Sequence, residues 1–240
     1  MSSNEKIGFL LIHGFTGTHF EMIPLEEFLT DRGFSVRNIT LPGHETTEED
    51  LTTKKWTDWV EFAQLKLDEL SNKCKKVFVV GLSMGGTITL LLGARNKDVA
   101  GIITLAPVYK APDWRMHLLS IPLVHYVYPR YKNEESGWED LEALSTHKSY
   151  EHYPIKSVSE LYKMLKETKK QVKNIQVPIL IIQSKKDLSV PDKHAKLIYS
   201  NVNTTDRQLV WIENGGHVIP KDAGRQQMFE TIDSWLKGRL

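Results

Sequence analysis

Val77-Phe78-Val79-Val80-Gly81-Leu82-Ser83-Met84-Gly85-Gly86-Thr87 decides how this chain folds. The apolar run Val77 to Val80 reads as a buried strand, and the stretch from Thr87 to Ala94, apolar nearly all round, reads as a helix buried at the centre of a domain. Between them stands a G-x-S-x-G pattern. In that setting it denotes a sharp strand-to-helix turn that pushes a serine hydroxyl out of the backbone. The glycines let strand and helix approach closely and let a strained backbone be tolerated. The helix N-terminus directs its partial positive charge at whatever sits beside Ser83.

A serine alone is a weak nucleophile and needs a base oriented by a third group. Val177-Pro178 leads into Ile179-Leu180-Ile181-Ile182, a short apolar run rich in β-branched residues that reads as a buried parallel strand, and Asp187 follows within one loop of its carboxyl end. Gln208 to Ile212 reads as another strand, after which Asn214-Gly215-Gly216-His217 places a histidine in a glycine-loosened loop. Each candidate therefore lies just beyond the carboxyl end of a strand, the edge at which open parallel sheets bind ligands. The order Ser83, Asp187, His217 is that of the α/β-hydrolase triad and differs from the orders of the chymotrypsin and subtilisin folds. Asp192 is the nearest rival acid; Asp187 is preferred because it follows the strand directly.

Ile7 to Ile12 reads as a further strand, followed by the loop opening His13-Gly14-Phe15. In such folds two main-chain amides hold the oxyanion of a tetrahedral intermediate, one after the nucleophile and one from an early strand-to-helix loop. Met84 and Phe15 are the candidates. Of the nine histidines, His13 and His44 are expected to brace loops, His117, His125, His147 and His152 fall in an insertion, His194 on a surface helix and His19 at a loop or helix start. No H-x-x-x-H spacing suggests a metal site.

His13-Gly14-Phe15-Thr16-Gly17-Thr18, Leu41-Pro42-Gly43-His44, Gly81 to Thr87 and Gly216-His217-Val218 resemble stretches of the bacterial carboxylesterase and monoacylglycerol lipase group of the α/β-hydrolase superfamily. The likeness runs from about Ile7 to the C-terminus. It implies an α/β-hydrolase fold, a mostly parallel central sheet with helices on both faces. It also implies a serine esterase with a small lid, acting on short to medium acyl esters with no metal or organic cofactor. The likeness is weakest between Tyr109 and Ser149, where the acyl and alcohol pockets would be shaped. Because a triad does not choose its leaving group, a thioesterase or an aminopeptidase of the same fold stays open, as does a non-catalytic receptor for a small hydrophobic ligand. Haloalkane chemistry is excluded by the serine, since it needs a carboxylate at position 83.

The chain has 240 residues, enough for a single domain with a continuous core, and no Pro/Gly/Ser-rich linker divides it. Charges nearly cancel to a formal +1, which gives no footprint for nucleic acid and no polybasic membrane signal, and makes a small neutral ester the expected partner. Cys74 is the one cysteine, so no internal disulfide is possible, and it reads as a structural residue at the entry to the next strand. The polar start followed by a short apolar run suits neither a signal peptide nor a membrane span, so the cytoplasm is the expected location.

Strands at Ile7–Ile12, Phe34–Ile39, Val77–Val80, Ile102–Leu105, Ile179–Ile182 and Gln208–Ile212 alternate with helical patterns, as a parallel sheet covered on both faces requires. Trp56, Trp59, Val60, Ala63, Leu67 and Leu70 form one helical stripe, and Met228, Phe229, Ile232, Trp235 and Leu236 another. From Tyr109 to Lys173 the alternation fails. Trp114, Met116, Leu118, Leu119, Ile121, Val124, Tyr126 and Tyr128 precede an acidic span, Asn133 to Glu142, and an amphipathic stretch, Val158 to Lys170. An insertion at 109–173 is expected to act as a lid over the site, some of its apolar residues receiving an acyl chain and the rest only packing it down.

Overall fold

The computed structural model describes residues 6–111, 129–133 and 137–240. Six strands form one sheet: β1 (Ile7–Ile12), β2 (Ser35–Ile39), β3 (Lys76–Leu82), β4 (Gly101–Leu105), β7 (Ile179–Ser184) and β8 (Arg207–Ile212). Their order is β2-β1-β3-β4-β7-β8, and every neighbouring pair is parallel. A short antiparallel pair, β5 (Arg130–Lys132) and β6 (His152–Pro154), stands apart.

Alternation along the strands explains why their sequences are apolar throughout. In β1, Leu10 and Ile12 face one core with Val77, Val79, Ile102, Ile179 and Ile181, while Phe9 and Leu11 face the other with Phe78, Val80, Ile103, Leu180 and Ile182. Both faces are buried, so both side-chain sets must be hydrophobic. Helix α1 (Ile23–Thr30) and the C-terminal helix Arg225–Leu236 cover the second face, through Leu25, Leu29, Met228, Ile232 and Trp235. Helices α3 (Trp56–Ser71) and α4 (Met84–Arg95) cover the first, after the short α2 (Glu48–Thr53). Cys74 is buried beside Leu70 at the start of β3.

The expected strands and the two striped helices all form, with ends moved by at most three residues. The residues expected to form the insertion lie between β4 and β7. Helix Ile155–Gln171 packs Val158, Leu161, Met164 and Leu165 into the same core as α3 and α4, against those two helices. The β5–β6 pair and the helix Leu141–Ser145 also lie in this segment. Tyr150 docks it on the carboxyl edge: its N–H donates to Thr16 O (3.0 Å) and its hydroxyl to Gly43 O (2.9 Å). The aromatic-rich residues Trp114 to Tyr128 lie outside the described residues.

Candidate active site

Ser83 closes β3 and caps α4 with φ 55° and ψ −113°, a conformation that costs a non-glycine residue about 1–3 kcal/mol. Crowding imposes it. A Cβ on Gly81 would stand 2.1 Å from Gly85 O, and one on Gly85 would stand 2.2 Å from Ile12 O. Backbone carbonyls cannot step aside, so strand and helix meet this closely only through glycine. The elbow is then pinned by Ser83 N–H to Leu105 O (2.8 Å) and Val108 N–H to Ser83 O (3.4 Å).

Asp187 and His217 meet: Nδ1 of the imidazole lies 2.8 Å from Oδ2 of the carboxylate. Asp187 Oδ2 also accepts from Gln183 Nε2 (2.9 Å), and Oδ1 accepts from the Ser189 and Val190 amides at 2.8 Å each. The buried carboxylate is thus fully occupied, with its charge and rotamer set. Asp192, the rival, is exposed and pairs with Lys196. Burial works to raise the Asp187 pKa, but the His217 charge and these hydrogen bonds outweigh it and hold the acid below the usual carboxylate range. For His217, burial works to lower the pKa; the charge of Asp187 and its hydrogen bond, with a further contribution from Glu21, leave it raised.

The histidine loop is held from outside its own segment. Asp222, fully buried, accepts from Gly216 N–H (2.5 Å) and from the amides of Glu139 and Asp140, while Glu139 Oε2 accepts from Gly215 N–H (2.6 Å). Residues 139–140 of the insertion therefore share one acid with the loop that carries His217. Ser83 Oγ makes no hydrogen bond to His217 among the described residues; catalytic contacts often tighten only when substrate is bound.

His13 braces the early loop as expected. Its ring accepts from Leu41 N–H at Nε2 (3.0 Å) and donates from Nδ1 to Gly14 O (2.8 Å), so a neutral tautomer is required. Burial above all lowers its pKa to about 4, and with both ring nitrogens bonded it has none free to take a proton from Ser83. His44, pushed down by burial and then by His13, stands against it with ring centroids 4.8 Å apart. His194 departs from expectation: its helix Lys193–Asn201 forms, but its ring is fully buried and accepts from Tyr109 N–H (3.3 Å). Among the described residues the Phe15 N–H has no acceptor, and Met84 N–H is an orphan donor of the first turn of α4. Both are available to an oxyanion.

Glu21, His147, Asp222 and Glu139 were not legible as site residues. Their partners lie 6 to 126 positions away and no motif marks them.

The family model described as serine aminopeptidase, S33, matches residues 4–224. The chain belongs to this family. Proteins it resembles include the thermostable monoacylglycerol lipase of Bacillus sp. (strain H-257), 33% identical over 95% of this chain and 90% of that protein. The carboxylesterase of Bacillus subtilis (strain 168) is 27% identical over 95% and 91%. A solved structure from work on the metagenome-derived lipolytic enzymes LipS and LipT superposes with a TM-score of 0.91 at 26% identity, covering 99% of this chain and 96% of that one. The protein is a serine hydrolase of the α/β-hydrolase fold, in the carboxylesterase and monoacylglycerol lipase group.

Proposed function

We propose that this family member hydrolyses neutral carboxylic esters of short to medium acyl chain, monoacylglycerols among them, through an acyl-enzyme on Ser83. The observation that carries the reading is the Asp187–His217 hydrogen bond at the same sheet edge as a strained serine elbow. His217 takes the Ser83 proton as Oγ attacks the ester carbonyl, and Asp187 fixes the tautomer and stabilises the imidazolium. The Phe15 and Met84 amides receive the oxyanion; losing one such donor typically costs about 10² to 10³ in rate. His217 then protonates the departing alcohol and activates the water that releases the acid. The reading gives the triad no metal or organic cofactor to work with.

The insertion at 109–173 acts as a lid over this edge, supported by the docking of Tyr150 and by Glu139 and Asp140 against the histidine loop. No described helix is long and apolar enough to cross a membrane, and the lone buried cysteine suits a cytoplasmic location. The preference for monoacylglycerols rests on the Bacillus sp. lipase; the family description keeps aminoacyl amides as the second reading.

Steady-state kinetics over p-nitrophenyl esters, monoacylglycerols, acyl-CoA thioesters and aminoacyl amides, with Ser83→Ala beside the wild type, test both levels. Turnover of the esters, absent in the variant, is expected. Unchanged kcat in Ser83→Ala refutes the nucleophile, and turnover confined to amides refutes the substrate class.

A further inference from the structure

The mechanism above does not use the buried acid Glu21. Glu21, in the 3-10 turn His19–Glu21 that follows the oxyanion loop, is 5% exposed. Its Oε2 accepts the Gly14 N–H at 2.8 Å, and its Oε1 faces His147 Nε2 at 3.8 Å. The loop is shaped around the carboxylate: a Cβ on Gly17 would stand 2.2 Å from Oε1 and 2.5 Å from Cδ. On the other side a Cβ on Gly14 would touch both Glu21 Oε2, at 3.2 Å, and Ser83 Cβ, at 3.4 Å. A single methyl group would therefore bridge this acid and the serine. The carboxylate also acts electrostatically on the His217 ring.

Burying an acid beside a centre where negative charge must develop is costly unless it does something there. We propose that Glu21 is a positioning residue of the hydrolytic site, holding the oxyanion loop through the Gly14 amide so that the Phe15 N–H points at the reacting carbonyl, and setting a second negative charge opposite the His217 imidazolium. The proposal rests on Ser83 and His217 being the reacting pair. Among the described residues four acids bear on the imidazole and its loop: Asp187 on Nδ1, Glu21 through its charge, and Asp222 and Glu139 on the amides of Gly216 and Gly215. His147 faces Glu21 from the insertion. Among the described residues only Asp187 and Glu21 work to raise the His217 pKa, and only Glu21 of the two also bonds the oxyanion loop.

Glu21→Gln separates the two roles, since the amide oxygen still accepts from Gly14 but the charge is gone. The acid limb of kcat/KM should move to lower pH, because the imidazolium loses a stabilising charge, while kcat on the plateau stays within a few-fold of wild type. Glu21→Ala removes both, and kcat on the plateau should fall about ten- to hundredfold with KM changing less, as expected when an oxyanion donor loses its aim. Gly17→Ala provides a second route should Glu21→Ala not fold, because its methyl evicts the carboxylate; it should reproduce the loss of kcat. An acid limb unmoved in Glu21→Gln, or full plateau kcat in a folded Glu21→Ala or Gly17→Ala, overturns the proposal. Activity surviving in Ser83→Ala would instead indict the underlying site.

Discussion

The two halves of the site are held by different physics. On the serine side, position is enforced by crowding: Gly81, Gly85 and Ile12 meet backbone to backbone, and Ser83 among them is held at φ 55°. On the acid and base side, position is enforced by hydrogen bonds, four of them to the Asp187 carboxylate and several more through Asp222 and Glu139 to the loop of His217. A steric constraint is local and tolerates no substitution. A polar constraint is assembled from distant segments and can lose a member while the fold survives.

The largest effect should come from the crowded half. Gly85→Ala places a methyl where no flexible neighbour can yield, so the cost should reach or exceed about 3 kcal/mol, the upper end for an overpacked core. Thermal or urea denaturation checks this, and a variant as stable as wild type would mean that the elbow is not sterically enforced. The bonded half should behave otherwise. Asp187→Asn keeps the shape and most of the contacts, so the fold should persist while kcat falls by about 10⁴, as when the acid that fixes an imidazole tautomer is neutralised.

The same substitution has a pH signature whose sign follows from the charges. His217 must be neutral to accept the serine proton, and its pKa is raised because the Asp187 charge outweighs burial. The acid limb of the wild-type kcat/KM profile should therefore lie above the ordinary imidazole value of about 6.5. Removing the charge should bring it down. A limb that stays in place in Asp187→Asn would place the controlling group elsewhere.

The same division governs what could be read from the residues in order. Runs such as Val77–Val80 and Ile179–Ile182 announce a sheet buried on both faces, and the glycines around Ser83 announce the elbow, because these constraints act between near neighbours in the chain. Asp187 and His217 could be found because each ends a strand and strand ends converge on one edge. The stripe Val158 to Lys170 revealed a helix but not its partner: periodicity gives the buried face and is silent on whether that face meets neighbouring helices or the site. Glu21, Glu139, His147 and Asp222 escaped for a related reason. A carboxylate that binds backbone amides leaves no trace in the residues it binds, since every residue but proline offers the same donor.

The central claim is that Ser83 is the one activated nucleophile. Incubation with a fluorophosphonate, followed by peptide mass spectrometry and an ester assay on the same sample, tests it most directly. A single adduct on the peptide bearing Ser83, rising in step with the loss of ester turnover, is the predicted result. Full inhibition with Ser83 unmodified, or full Ser83 modification with turnover intact, would contradict it.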